Sequence, residues 1–297
     1  MSSISLSIHH ALFWPSDRMP EGQLLLWSYF HWTNQRPARY YSGMNSYELI
    51  APYYDLEHSG YQDDVDLYCN YADSTGSPVL ELGCGTGRLL VPLARRGIEL
   101  TGVDSSPAML ARARQHLETA MLLKHVELIE GDARTLRLRQ RFRLAFVALN
   151  TFAHFITRDD QRAVLATLRQ HLLPEGTLIL DLPHADLRHY QEAEGHLFHQ
   201  GTWTDQSRDE IISHLVAAAA DPVARCLQLT HFYDAHSQGG PIRRIVVQTS
   251  LAILSPGEAE LLVESCGFQI KHLYGDYELN PCEENSPRLI LVATRVS

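Results

Sequence analysis

The run Val79-Leu80-Glu81-Leu82-Gly83-Cys84-Gly85-Thr86-Gly87-Arg88 places an acid and three glycines directly after an apolar stretch, and a second apolar run ends in Val103-Asp104. Read as strand, glycine turn, helix and a second strand closed by a carboxylate, this is an arrangement that binds an adenosine-containing cofactor. Glycine is needed where the backbone turns sharply and lies against the ligand, because a Cβ would collide there. The carboxylate of Asp104 can accept hydrogen bonds from both ribose hydroxyls. The spacing also separates two cofactor classes: the dinucleotide fingerprint GxGxxG requires a glycine where this chain has Arg88.

The order E-x-G-x-G-x-G, from Glu81 to Gly87, resembles motif I of the class I S-adenosylmethionine (SAM) dependent methyltransferases. The resemblance implies that Glu81 anchors the loop and reaches toward the methionine moiety. It implies that the loop of Gly83, Cys84, Gly85 and Gly87 lies against SAM, and that Asp104 with Ser105 takes the ribose. Gly131-Asp132-Ala133 follows the third strand, where the family places an acid for the adenine amino group, so Asp132 and the Ala133 N–H are assigned to adenine. The fourth strand runs into Asn150-Thr151-Phe152-Ala153-His154. Ligands in open parallel sheets sit beyond the carboxyl ends of the strands, so Leu149 and Asn150 border the reacting methyl.

The Asn-Thr-Phe-x-His sequence resembles small-molecule methyltransferases, including relatives of the glycine and amino-sugar N-methyltransferases. The segment Tyr47-Glu48-Leu49-Ile50-Ala51-Pro52-Tyr53-Tyr54-Asp55 matches an N-terminal pattern common in that branch. Enzymes that methylate exocyclic amines of nucleic-acid bases carry a proline pair after this asparagine, and Thr-Phe stands here instead. The resemblance extends over residues 44–297.

Methyl transfer from a sulfonium needs alignment above all, and a general base only if the acceptor arrives protonated. His154 and His184, just past strand ends, are the candidate bases, with Asp181 and Tyr274 as second choices. Tyr47, Tyr53 and Tyr54 are candidates for a lid over the sulfonium through their aromatic faces. Arg288, beside a late irregular loop, is a candidate partner for a substrate carboxylate or phosphate, with a surface salt bridge as the alternative.

The elements that would position these groups follow from periodicity. Helical spacing predicts helices over 47–56 and 60–72. Strands over 78–82, 99–103, 126–130, 144–149 and 176–182 then alternate with helices over 87–96, 106–119 and 159–172, which implies a parallel sheet covered on both faces. Pro174-Glu175-Gly176 reads as a turn before the fifth strand. Candidate strands at 197–205, 209–218, 223–234 and 242–254 read as an inserted antiparallel meander. A helix over 255–266 and strands over 269–274 and 289–294 complete a seven-stranded, Rossmann-like, mostly parallel sheet. The expected organisation is an N-terminal extension (1–43), a SAM-binding core with lid helices (44–183), a β insert serving as substrate cap or homodimer interface (184–254) and a closing segment (255–297). Met44 is the expected biological start.

The 297 residues carry a formal net charge of −10, which disfavours a nucleic-acid partner. Arg134, Arg137, Arg139, Arg141 and Arg143 form the one basic stretch, read as a solvated connection. Five cysteines without a CxxC pair indicate a reduced, cytoplasmic protein with neither disulfides nor zinc. No apolar run reaches the ~20 residues of a membrane span, and the sixteen histidines form no metal-ligand pattern. The expectation is a SAM-dependent methyltransferase of a small-molecule acceptor, amine preferred. An RNA or protein methyltransferase of the same fold and a non-catalytic SAM-binding scaffold are the rivals.

Overall fold

The computed structural model describes residues 39–40, 46–58, 60–184 and 195–296. The expectations for residues 1–38 and for the chosen start at Met44 therefore lie outside the described residues, as does part of the insert. The chain opens with β1 (Arg39–Tyr40), α1 (Ser46–His58) and α2 (Val65–Thr75). An alternating series follows: β2 (Val79–Leu82), α3 (Leu90–Arg95), β3 (Leu100–Asp104), α4 (Pro107–Thr119), β4 (Val126–Glu130), β5 (Phe142–Val147), α5 (Arg158–His171) and β6 (Leu172–Pro183). The meander is β7 (Leu197–Asp205), β8 (Glu210–Asp221), β9 (Cys226–His236) and β10 (Arg243–Ala252). The chain closes with α6 (Pro256–Ser265), β11 (Phe268–Tyr274) and β12 (Arg288–Arg295).

Helix starts are fixed by local chemistry. Ser106 caps α4 by accepting from the Met109 N–H at 3.2 Å, with Pro107 in the first turn. Thr157 caps α5 through the Asp160 N–H, and Ser255 with Glu258 forms a reciprocal capping box on α6. One turn expected from the sequence is absent. Pro174-Glu175-Gly176 lies inside a long β6, where the register against β5 shifts and Glu175 takes φ +61°. The extra residues are absorbed as a bulge, because strand pairing continues on both sides of them.

The sheet order is β11-β12-β6-β5-β2-β3-β4, parallel from β4 to β6, with β12 antiparallel to both β6 and β11. The sheet is packed on both faces. Leu80, Leu82 and Leu180 join Leu165 and Leu168 of α5 and Val263 of α6, while Val79, Leu144 and Ile179 join Tyr68 of α2, Leu93 of α3 and Leu117 of α4. A second sheet, β1-β10-β9-β8-β7, is antiparallel except for β1, which runs parallel to β10. Ile50 and Tyr53 of α1 pack on Ile212, Tyr233 and Val247 of this second sheet. Helix α1 is thus sandwiched between the insert and the mouth of the main sheet.

Candidate active site

The cleft beyond the carboxyl ends of β2, β3 and β4 encloses about 420 Å³ and is lined by Gly83, Gly85, Asp104, Ser105, Asp132, Ala133 and Leu149 among others. Gly83, Gly85 and Gly87 all have positive φ, at +78°, +53° and +80°. Their reasons differ. A Cβ on Gly83 would stand 2.2 Å from Thr151 Cγ2, so this glycine admits the loop after β5. A Cβ on Gly87 would press on Ala113 of α4 at 3.2 Å, so this one admits a helix. Only Gly85 faces open space, its nearest neighbour being Tyr54 Cε1 at 4.0 Å. Gly87 therefore serves helix packing, and the cofactor contact expected of it is not made from the cleft wall. Cys84 is likewise turned away: its thiol is buried in the core beside Gly102.

Asp104 is half-buried at the end of β3. Its Oδ2 accepts from the Gly85 N–H at 2.8 Å and its Oδ1 from the Ser106 N–H at 2.9 Å. Burial raises its pKa, and these backbone donors oppose the rise. The Ser105 N–H is a third backbone donor to this carboxylate, which leaves one acceptor site for a ribose hydroxyl. Glu81 is buried on β2 with its Oε2 unpaired, and burial pushes its pKa well above the usual carboxylate range, against the pull of Arg88. A buried oxygen without a partner is costly in a native protein. It fits a ligand whose amino group would complete it, so the residues present suit SAM.

Arg88, the residue that breaks the dinucleotide pattern, has a different task. It makes two 2.6 Å bonds to the buried Asp64 and reaches the Tyr61 carbonyl, tying the glycine loop to α2. At the adenine end, Asp132 lines the cleft but is paired with Arg134 at 2.6 Å, which holds its pKa below the usual range. Arg134 also reaches Asp160.

A second cavity, of about 120 Å³, adjoins the cleft, and both are walled by Tyr47, Tyr54, Leu149, His154 and Thr249. Leu149 and Asn150 take consecutive left-handed conformations, φ +43° and +65°. A buried knot holds this turn. Asp181 Oδ2 accepts from the Leu149 N–H at 3.1 Å and the Tyr277 hydroxyl at 2.9 Å, while Oδ1 accepts from Arg288 Nε at 2.8 Å. Arg288 Nη2 also bonds Asp181 and donates to Asn150 Oδ1 at 2.8 Å. Asp181 and Arg288 are both buried. Burial works against the guanidinium charge, and Asp181 overrides it, so the Arg288 pKa is raised. The substrate contacts expected of Asp181 and Arg288 are corrected: each is spent on the other. Asp181 is equally unavailable as a base.

Of the two histidines proposed as bases, only His154 reaches the site. Its Nδ1 lies 3.2 Å from the Ser250 carbonyl, so that nitrogen donates, and its Nε2 then accepts from the Tyr47 hydroxyl at 2.8 Å. Burial depresses its pKa to about 4, which keeps the ring neutral. His184 follows β6 and lines neither cavity, and Tyr274 sits against Tyr71 and Pro281 instead.

The remaining cavity wall was not anticipated. Glu57 and His58 of α1, Gln200 and Trp203 of β7, His214 of β8, His231 and Tyr233 of β9 and Thr249 of β10 line it. Among the described residues that line it, Glu57 is the one formal charge, with no lysine, arginine or aspartate. Alternation along β8 and β9 could have shown that His214, His231 and Tyr233 share parity with inward apolar residues, but which face is inward depends on where α1 lies. Among the described residues, no helix is long and apolar enough to cross a membrane, and no cluster of three or more His, Cys, Asp or Glu is arranged to hold a metal.

A glycine loop and a buried aspartate stand at the carboxyl ends of a parallel sheet that an antiparallel hairpin closes, with a β insert beside it. Residues 79–176 match the methyltransferase domain family. The chain is 26% identical to the CcbJ methyltransferase of Streptomyces caelestis, with a TM-score of 0.74 over 86% of this chain and all of that one. It is 26% identical to the cypemycin N-terminal methyltransferase of a Streptomyces species over 220 residues, 74% of this chain and 84% of that protein. A carboxy-S-adenosyl-L-methionine synthase of Enterobacter sp. (strain 638) is 34% identical over 128 residues, 41% of this chain, and the chain spans about half (51%) of that relative's length. Residues 79–176 thus match a methyltransferase domain, and over most of its length the chain is similar to methyltransferases.

Proposed function

We propose that the protein transfers the methyl group of SAM to the nitrogen of a small-molecule amine. The observation that carries this reading is the second cavity, which borders the cofactor cleft and is walled by Tyr47, Tyr54, Trp203 and Tyr233, with Glu57 the only charged lining group among the described residues. Aromatic faces and one carboxylate attract a cation. An anionic acceptor would meet a negative charge there and no cationic partner, since the Arg288 guanidinium is bound to Asp181 and Asn150.

SAM, when bound, supplies an already activated methyl. Glu81, Gly85, Asp104, Ser105 and Ala133 would hold it, with its methyl directed to the shared wall of Leu149, His154 and Thr249. The β insert then acts as the cap that encloses the acceptor. Alignment across this junction supplies the main rate gain, of about 7–11 kcal/mol where orientation is good. All five cysteines are free thiols, which supports a reducing, cytoplasmic setting.

The test is release of S-adenosylhomocysteine (SAH) from purified protein and SAM with panels of primary and secondary amines, phenols and carboxylic acids. Turnover confined to the amines is the expected outcome. Turnover with carboxylic acids alone would overturn the amine assignment.

A further inference from the structure

The second cavity contains a continuous line of polar contacts. Glu57 Oε1 lies 3.1 Å from His214 Nδ1, within ion-pair distance, and neither buried atom has a hydrogen-bond partner. His214 Nε2 lies 3.1 Å from His231 Nδ1, and His231 Nε2 lies 2.9 Å from Thr249 Oγ1. These four residues come from α1, β8, β9 and β10, so only the packing of α1 on the insert brings them together. His214 is clamped in plane, its ring stacked on Tyr233 at 4.2 Å and 8°, with Tyr233 stacked in turn on Tyr53. The line has a direction. The Glu57 carboxylate 3.1 Å away favours the proton of His214 on Nδ1, which leaves Nε2 to accept; His231 then donates from Nδ1 and accepts at Nε2 from the Thr249 hydroxyl. Thr249 lies in the wall shared with the cofactor cleft, whereas the Glu57 side chain keeps 11% exposure.

We propose that Thr249, His231, His214 and Glu57 form a proton relay, which takes the proton from the acceptor at the methyl-transfer junction and delivers it to the carboxylate of Glu57. The inference rests on the amine reading above. As the ammonium of the acceptor gives its proton to Thr249 Oγ1, the hydroxyl proton moves to His231 Nε2. The Nδ1 proton of His231 moves to His214 Nε2, and that of His214 to Glu57. The freed nitrogen lone pair then forms the bond to the methyl carbon, the carbon–sulfur bond breaks, and its electron pair stays on sulfur, which becomes a neutral thioether. The positive charge passes to the methylated nitrogen, and Glu57 returns its proton to water. Thr249 is the group that touches the acceptor; His231, His214 and Glu57 act through it.

The other titratable groups facing the line are Tyr47, Tyr54 and His58 of α1, His154 after β5 and Tyr233 of β9. Their charges do not compete with the relay. His154 has its pKa lowered by burial to about 4, that of His58 is lowered for the same reason, and burial raises the tyrosines. The nearby cation Arg243 is paired with Glu210 and Arg88 with Asp64. His231 itself is pushed down to about 3 by burial, with His214 and His154 adding to the effect. It therefore passes a proton along and does not store one.

The first test reads side-chain nitrogens by NMR in the full chain saturated with SAH. His214 and His231 are expected as neutral Nδ1–H tautomers. Glu57→Gln should shift the tautomer populations of both while leaving His154 unchanged. An Nε2–H tautomer at His214, or a His231 indifferent to Glu57→Gln, would overturn the relay.

The second test uses the first amine that the acceptor panel turns over. Glu57→Gln and the near-isosteric Thr249→Val should each slow SAH release about 100-fold at pH 7. The loss should shrink to about threefold or less at pH 10, where the amine is already unprotonated. A loss equal at both pH values would make these residues structural only. Failure of the wild-type protein to bind SAM would instead overturn the methyltransferase reading, so the two failures are told apart.

Discussion

The cleft beyond the ends of β2, β3 and β4 and the smaller cavity beside it share a wall, yet they are built by different means. The cleft is made largely of backbone: turning glycines, N–H groups from Gly85 and Ser106 on Asp104, and strand ends set by the parallel sheet. The cavity is made of side chains, with Glu57, Trp203, His214, His231 and Tyr233 drawn from α1 and three strands of another sheet. A backbone site depends on a short contiguous sequence and tolerates little change. A side-chain site can be rewritten strand by strand without disturbing the fold, which is how one scaffold serves many acceptors.

Perturbing the knot beneath the shared wall should have the largest effect. Arg288→Met would leave the buried Asp181 carboxylate without its cation, and loss of one partner of a buried pair costs about 3–5 kcal/mol. The urea midpoint should fall, and SAM and acceptor affinity should fall with it, because the Leu149-Asn150 turn borders both regions. Unchanged stability with a raised acceptor KM would restore Arg288 as a direct substrate contact.

Asp104→Ala should separate the two regions. Removing a charged acceptor of several hydrogen bonds costs about 1.5–3 kcal/mol, so calorimetry should show SAM binding weakened by about 10- to 100-fold. The histidine signals of the cavity should not move. If they do, the cleft and the cavity are one cooperative unit and the contrast fails.

The effect that is smallest at neutral pH is a pH dependence confined to the cavity side. His154 and His231 are held neutral, with folded pKa values of about 4 and about 3, below the ordinary 6.5. The unfolded chain then binds more protons, so this contribution is complete above pH 6.5 and is lost as pH falls toward 4 and 3. Each ring should cost about 1.4 kcal/mol per pH unit in that window. Replacing His231 with Asn should flatten the acid limb of a Tm-versus-pH curve. An unaltered limb would show that the ring is already charged or hydrated in the folded state.

Legibility followed the same division. The helices α4 and α6 could be read from Ser106-Pro107 and from Ser255-Pro256-Gly257-Glu258 because caps act within one turn. The glycine turn after β2 and the aspartate at the end of β3 were readable for the same reason. Arg288 was misread because a basic residue after an irregular loop looks exposed, and only the antiparallel pairing of β12 with β6, which sets Arg288 opposite Pro183, brings it to Asp181. Gly87 and Cys84 carried the right motif but the wrong reason: their neighbours are Ala113 and Gly102, far along the chain.

The amino-acid sequence by itself determined the alternating strands and helices, the glycine loop and the aspartate that ends β3, since each depends on residues within a few positions of one another. The tertiary structure alone decided which histidines meet, that Glu57 stands at the end of their line, and that Asp181 and Arg288 are spent on each other. Asp181 and Arg288 stand 107 residues apart in the chain and Glu57 and His214 stand 157 apart (214 − 57), and no local pattern encodes a distance that only the packing of two sheets on one helix creates.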